Sequence, residues 1–395
     1  MTQNNGNDRS SWPDFEDVID RRRMLKLAGA AGLTLAGGSL LAPSAFAAGP
    51  GKPVKTEPTH AFKQSSGGAK PSLPARAAYA LDIDQGEPAQ WNSWMAKSCP
   101  KFGLGFTSTN SNQNSATQVH QVDQILQRGV AGLMIDPVDQ SVGPTMLNAM
   151  KSGVAVFALN FYPSTCQIGA NQYNQAKMST EAAVRYIHQH FGGKADVVYI
   201  NWNANVAIRP RDQGVHDVIK KAGPNIRLIA DIPAGTNETQ VGYNIMNTIL
   251  HRYPTARVVI GDDTVMQGAA AAMVAAGLGD SKDYLLVGCD GAPETLALIK
   301  SQKSVFRITS GFLLNAIGYF PAKYTRDWLE GKSIPQVLLF NPILCDSPET
   351  VARLDADNDN VINVLKDPAK SAHYLKALGS ISYASRLGYY EGYAH

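Results

Sequence analysis

The sequence predicts an α/β protein built on parallel sheets with helices on both faces. Three observations carry this. Short apolar runs alternate with longer segments of helical period about nine times between Arg76 and Phe340. The runs are nearly continuous in apolar residues, as strands covered on both faces must be. Many runs finish on Asp, Asn or a turn residue, which places a polar row along one edge of the sheets.

In chain order, Arg21-Arg22-Arg23-Met24-Leu25-Lys26 has the pattern of a twin-arginine export signal. The Gly- and Ala-rich stretch Leu27 to Leu41 behind it is too short for a comfortable membrane span. Ala45-Phe46-Ala47 offers the small side chains a signal peptidase accepts. Residues 1–47 are therefore expected to be removed near Ala47, leaving 395 − 47 = 348 residues that act in the periplasm. No Cys follows the apolar stretch, so a lipid anchor is not expected. Residues 48–75, rich in Pro, Gly, Ser and Lys, read as a disordered leader. The net charge of +3 is too small to argue for nucleic acid.

The strands are expected at 77–83, 105–109, 132–135, 155–160, 196–201, 226–231, 258–261, 284–289, 305–309 and 337–340. Between them, Val119, Val122, Ile125 and Leu126 share one helical face. Ala183, Val184 and Ile187 share another, and Val241, Ile245, Ile249 and Leu250 a third. The strand ends carry Asp84, Asp136-Pro137, Asn160, Asn201, Asp231, Asp262-Asp263 and Asp290-Gly291. In open parallel sheets ligands sit beyond the carboxyl ends of the strands, and such a row suits a hydroxyl-rich ligand. The competing role for each residue is capping of the following helix.

Five segments, in order, resemble type I periplasmic sugar-binding proteins of ABC importers, the ribose- and galactose-binding receptors that share their core with lactose-repressor-type regulators. They are Asp123 to Pro137, Ala155 to Asn160, Arg209-Pro210-Arg211-Asp212-Gln213-Gly214, Gly261-Asp262-Asp263-Thr264 with Gly268-Ala269, and Val287-Gly288-Cys289-Asp290-Gly291. The resemblance implies two doubly wound parallel-sheet lobes joined by a three-segment hinge. The first lobe would be 76–169 plus 313–334, the second 170–311 plus 335–345, with 346–395 a C-terminal extension. It further implies a monomer that closes on a sugar, sugar alcohol or similar small polar ligand and docks on an inner-membrane ABC permease. It implies no catalysis, no cofactor and no nucleic acid.

By position in this pattern, the ligand contacts expected from the second lobe are Arg211, Asn237, Asp262 and Asp290, with Phe312 near a crossover. Those expected from the first lobe are Asp84, Gln90, Trp91, Asn160 and Phe161. A guanidinium with five fixed donors can grip two hydroxyls, carboxylates accept from them, and aromatic rings cover C–H faces. Phe161 stands where ribose-type receptors carry a charged pair, which argues against ribose itself. Trp91 and Trp94, three residues apart, can face one side of a helix, one toward ligand and one into the core.

Other signals are weaker. Asp355, Asp357 and Asp359 have the opening spacing of a calcium loop, but Lys366 stands where the closing Glu belongs, so a solvated acidic turn and no metal are expected. Cys99, Cys166, Cys289 and Cys345 show no paired spacing; a Cys166–Cys345 disulfide is conceivable, and lone thiols are the better expectation. Two other functions fit an exported chain: an α/β enzyme acting on a polyol or sugar, and a chemosensory receptor without its own importer. Tyr374, Tyr383, Tyr389, Tyr390 and Tyr393 mark the extension, for which the family pattern offers no role.

Overall fold

The computed structural model describes residues 70–161, 163–203, 205 and 208–379; the export signal, most of the leader and the last four of those tyrosines lie outside them. The first sheet contains β1 (Arg76–Leu81), β2 (Gly105–Asn110), β3 (Gly132–Ile135), β4 (Ala155–Leu159) and β5 (Cys166–Ala170). The second contains β6 (Ala195–Asn201), β7 (Ile226–Pro233), β8 (Ala256–Ile260), β9 (Leu285–Val287) and β10 (Phe306–Gly311). Three later strands follow: β11 (Val337–Phe340), β12 (Ile343–Cys345) and β13 (Leu375–Leu378). The helices used below are α1 (Gly86–Ser98), α2 (Ser115–Arg128), α3 (Gly143–Lys151), α4 (Gln172–His190), α5 (Pro210–Ala222), α6 (Thr239–Arg252), α7 (Asp263–Ala275), α8 (Pro293–Ser301), α9 (Leu314–Leu329) and α10 (Pro348–Asp359).

Strand order is β13-β11-β5-β4-β3-β1-β2 in the first lobe and β12-β10-β9-β8-β6-β7 in the second. The central strands feed two cores, which is why their sequences are apolar without alternation. Ala77, Tyr79 and Leu81 pack into one cluster with Met134, Phe157 and Leu159, while Ala78 and Ala80 face the other way, with Leu133, Ile135 and Val156. The second lobe repeats this, with Val197, Tyr199 and Val258 on one face and Val198, Ile200 and Val259 on the other. No helix among the described residues is long and apolar enough to cross a membrane.

Two expectations change. Residues 335–345 do not all belong to the second lobe, because β11 pairs in parallel with β5, Val337 opposite Gln167. Only β12 joins the second sheet, antiparallel to β10. An apolar four-residue strand fits either sheet, and its neighbour decides. The extension beyond 345 returns to the first lobe, where β13 closes the sheet edge against β11. The chain therefore passes between the sheets at Asn171, at Phe312, after Phe340, and a fourth time through the extension. On that passage Asn358 Oδ1 accepts from the Asn315 backbone N–H at 3.1 Å, and its carbonyl accepts from Asn315 Nδ2 at 2.9 Å. The acidic triplet lies on α10 rather than in a turn, with Asp355 paired to Lys300 and Asp357 accepting from Tyr374. All four cysteines are buried, and Cys99, Cys289 and Cys345 are free thiols.

Candidate functional site

Parallel register brings the polar strand ends together. In the first sheet the order reverses between β1 and β3, and Asp82 and Asp136 follow those two strands directly. In the second it reverses between β6 and β8, where Asn201 closes β6 and Asp262 stands two residues beyond β8. A crevice at such a reversal is where open sheets hold ligands. Here the two crevices face each other and form one cavity, lined from the first lobe by Asp82, Glu87, Trp91, Gln113, Asp136, Asn160 and Phe161. From the second lobe and the crossovers come Gln172, Trp202, Arg211, Asn237, Asp262, Asp290, Phe312 and Phe340. The lobes meet at its rim: a β-carbon added to Gly86 would lie 3.4 Å from Thr264 Oγ1.

Arg211 is the hub. It sits in the first turn of α5, only 5% exposed. Its Nε donates to Gln172 Oε1 at 2.7 Å. Its Nη1 donates to Asp262 Oδ1 and, at 3.2 Å, to Asp290 Oδ2. Its Nη2 donates to Gln175 Oε1 at 3.0 Å and to Asp290 Oδ1. All five N–H groups are thus taken by protein oxygens. Burial works against its charge, and the Asp290 and Asp262 carboxylates outweigh this and hold it firmly protonated.

Asp262 stands at the N-cap position of α7 yet makes no capping bond, which leaves its carboxylate for Arg211. Its neighbour Asp263 is fully buried. Oδ2 accepts from the Ala292 N–H at 2.8 Å and Oδ1 from Thr309 Oγ1 at 2.8 Å, pinning the turn that carries Asp290. Asp290 itself has φ +119°, a conformation held by its N–H bond to Ser310 O at 2.8 Å and by its two-oxygen grip on Arg211. Beside it Gly291 cannot carry a side chain, since a β-carbon there would fall 2.3 Å from Gly311 Cα.

The first-lobe wall is acidic. Burial pushes the Asp82 carboxyl up to about 6, against the N–H of Ile83, which donates to it at 2.6 Å, and its hydrogen bond with Asp136. Burial first, and then the Asp82 charge, holds Asp136 well above the carboxylate range. Glu87, in the first turn of α1, is raised by burial and by the Asp290 and Asp263 charges. For Asp82 the folded state keeps a proton that the unfolded chain loses near pH 4. Folding stability from this group therefore falls as pH rises from about 4 through about 6. Relative to the parent, Asp82→Asn should gain about 2–3 kcal/mol between pH 4 and pH 7. Urea unfolding across that range checks this, and a constant difference would contradict it.

Of the ten residues singled out from sequence, Trp91, Asn160, Phe161, Arg211, Asn237, Asp262, Asp290 and Phe312 line the cavity. Asp84 and Gln90 do not. The first strand ends at Leu81, two residues early, so Asp82 faces the crevice and Asp84 is exposed. Gln90 turns toward the crossover, where Nε2 donates to Asn315 Oδ1 at 2.8 Å. Trp94 stays outside the cavity, packed on the first-lobe core beneath Lys97. Sequence reasoning missed Asp82, Glu87, Gln113, Gln172 and Trp202. Asp136 stood in the strand-end row, and that row was the available signal for it.

A family model described as periplasmic binding protein domain matches residues 89–333. The ribose import binding protein of Bacillus subtilis (strain 168) is 24% identical over 245 residues, covering 61% of this chain and 77% of that protein. The D-apiose import binding protein of Paraburkholderia graminis is 28% identical over 182 residues, covering 44% of this chain and 56% of that protein. Among solved structures, an ABC transporter solute binding protein from Bacillus halodurans C-125 with bound myo-inositol superposes with a TM-score of 0.63 at 16% identity. That match covers 72% of this chain and 99% of the other, a likeness of fold.

Proposed function

From the premise that this chain belongs to the periplasmic binding protein family, we propose that it is the solute-binding receptor of an ABC importer. Its ligand is a sugar, sugar alcohol or similar small polar molecule held between the lobes. One observation carries this: the polar carboxyl edges of both sheets open into a single cavity, with aromatic rings on its walls. Its likeness to receptors named for ribose and apiose import, and to a fold holding myo-inositol, supports the same ligand class. The receptor acts as a monomer, without catalysis or nucleic acid, and reaches the periplasm by the twin-arginine route, losing residues 1–47.

The mechanism is population shift. A ligand that bonds both lobes binds the closed form better than the open one, by the free energy of the contacts it makes across the gap. Its hydroxyls take up acceptors such as Asn160 and Asn237, whose buried Oδ1 atoms have no protein partner. An unpaired buried acceptor costs roughly 1–3 kcal/mol, and a ligand hydroxyl that donates to it removes that penalty. The experiment is a thermal-shift screen of sugars and polyols on the exported protein, its intact mass showing a start near Ala48. Solution scattering with each hit should then show compaction. A screen in which no compound raises the melting temperature or compacts the protein would overturn the reading.

A further inference from the structure

The charged groups that line the crevice are nearly all acids. This inference rests on the crevice being the ligand site. Among the described residues its walls carry six acids, Asp82, Glu87, Asp136, Asp139, Asp262 and Asp290, against one base, Arg211. Asp262 and Asp290 spend their charge on Arg211, which has no N–H left for a ligand. The other four acids have no Lys, Arg or His partner among the described residues.

Glu87 sharpens the point. It lines the cavity, it is 7% exposed, and its Oε1 is buried with no hydrogen-bond partner. Burial and the Asp290 and Asp263 charges favour its neutral form, and a cation set against this oxygen reverses that and restores the carboxylate. A hydroxyl supplies one donor and no charge to offset the burial of a carboxylate. A protonated amine supplies three donors and a positive charge, which makes the pairing charge-assisted and the stronger one. A uronate or sugar phosphate brings no positive charge to pair with Glu87 and would push its carboxyl up further.

We propose that the ligand is a hydroxyl-bearing primary amine, an amino sugar or aminocyclitol, whose protonated nitrogen is received by Glu87 across the crevice from the Arg211–Asp290 pair. The hydroxyls occupy the remaining acceptors, the Asn160 and Asn237 Oδ1 atoms among them.

Matched pairs test this by calorimetry at pH 7: D-glucosamine against D-glucose, glucamine against D-sorbitol, and an inosamine against its parent inositol. In at least one pair the amine should bind tenfold or more tightly than its hydroxyl partner. N-acetyl-D-glucosamine, which keeps the ring and loses the charge, should bind no better than glucose. E87Q should bring the preferred amine within threefold of its partner, while E87D, which keeps the charge, retains part of the preference. Should E87Q fail to fold, the salt dependence of the parent is the readout: amine affinity should fall with added salt while that of the hydroxyl partner stays level. Equal or tighter binding of the hydroxyl members, or an amine preference that survives E87Q, overturns the charge inference and leaves the receptor reading standing. If no compound in these pairs or in the wider screen binds, both fall.

Discussion

Arg211→Ala should abolish measurable high-affinity binding and destabilise the protein by about 3–5 kcal/mol. The side chain is buried, and its removal leaves the Asp262 and Asp290 carboxylates facing each other with no counter-charge. Binding should fall by roughly 100-fold or more, because the acids would no longer be held in place at the cavity wall. Arg211→Lys should rescue little, since a single ammonium cannot reach Gln172, Gln175 and both carboxylates at once. Adding Asp262→Asn and Asp290→Asn to Arg211→Met should recover stability but not binding, which separates the two effects. Urea unfolding and calorimetry read them, and a stability loss under about 1 kcal/mol for Arg211→Ala would refute the hub role.

Gly268→Leu should be comparably severe for a different reason. Helices α6 and α7 cross backbone to backbone. A β-carbon on Gly268 would fall 1.8 Å from Thr239 O, and one on Gly242 would fall 1.9 Å from Val265 O. Neither glycine has a positive φ, so the constraint is space alone. Even Gly268→Ala must push the helices apart, and Leu should cost about 3 kcal/mol or more. Because α7 starts at Asp263, next to Asp262, the displaced helix should also weaken ligand binding. An alanine variant within about 0.5 kcal/mol of the parent would show that the crossing tolerates a side chain.

The two variants mark how far sequence alone reached. Gly268 was visible as part of a family-like segment, but the carbonyl pressed against it comes from another helix. Arg211 was visible too, as a guanidinium expected to grip hydroxyls. The fold instead uses all five of its donors internally, so it shapes the acidic wall. Asp262 and Asp263 are identical neighbours in the sequence, yet one faces the arginine and the other anchors the Asp290 turn. The apolar run from Ala77 continues to Ile83 but the strand ends at Leu81, so Asp82 and not Asp84 faces the crevice.

The alternation of apolar runs and amphipathic segments, and the polar residues closing those runs, sufficed to specify parallel sheets with a ligand crevice. Those features are local: period and strand-end chemistry depend on neighbours along the chain. Which sheet took β11, where the extension closed its edge, which acid met the arginine and which oxygen stayed unpaired were decided only in three dimensions. Each is a contact between residues tens to hundreds of positions apart, and a one-dimensional pattern does not encode the angle at which two such groups meet.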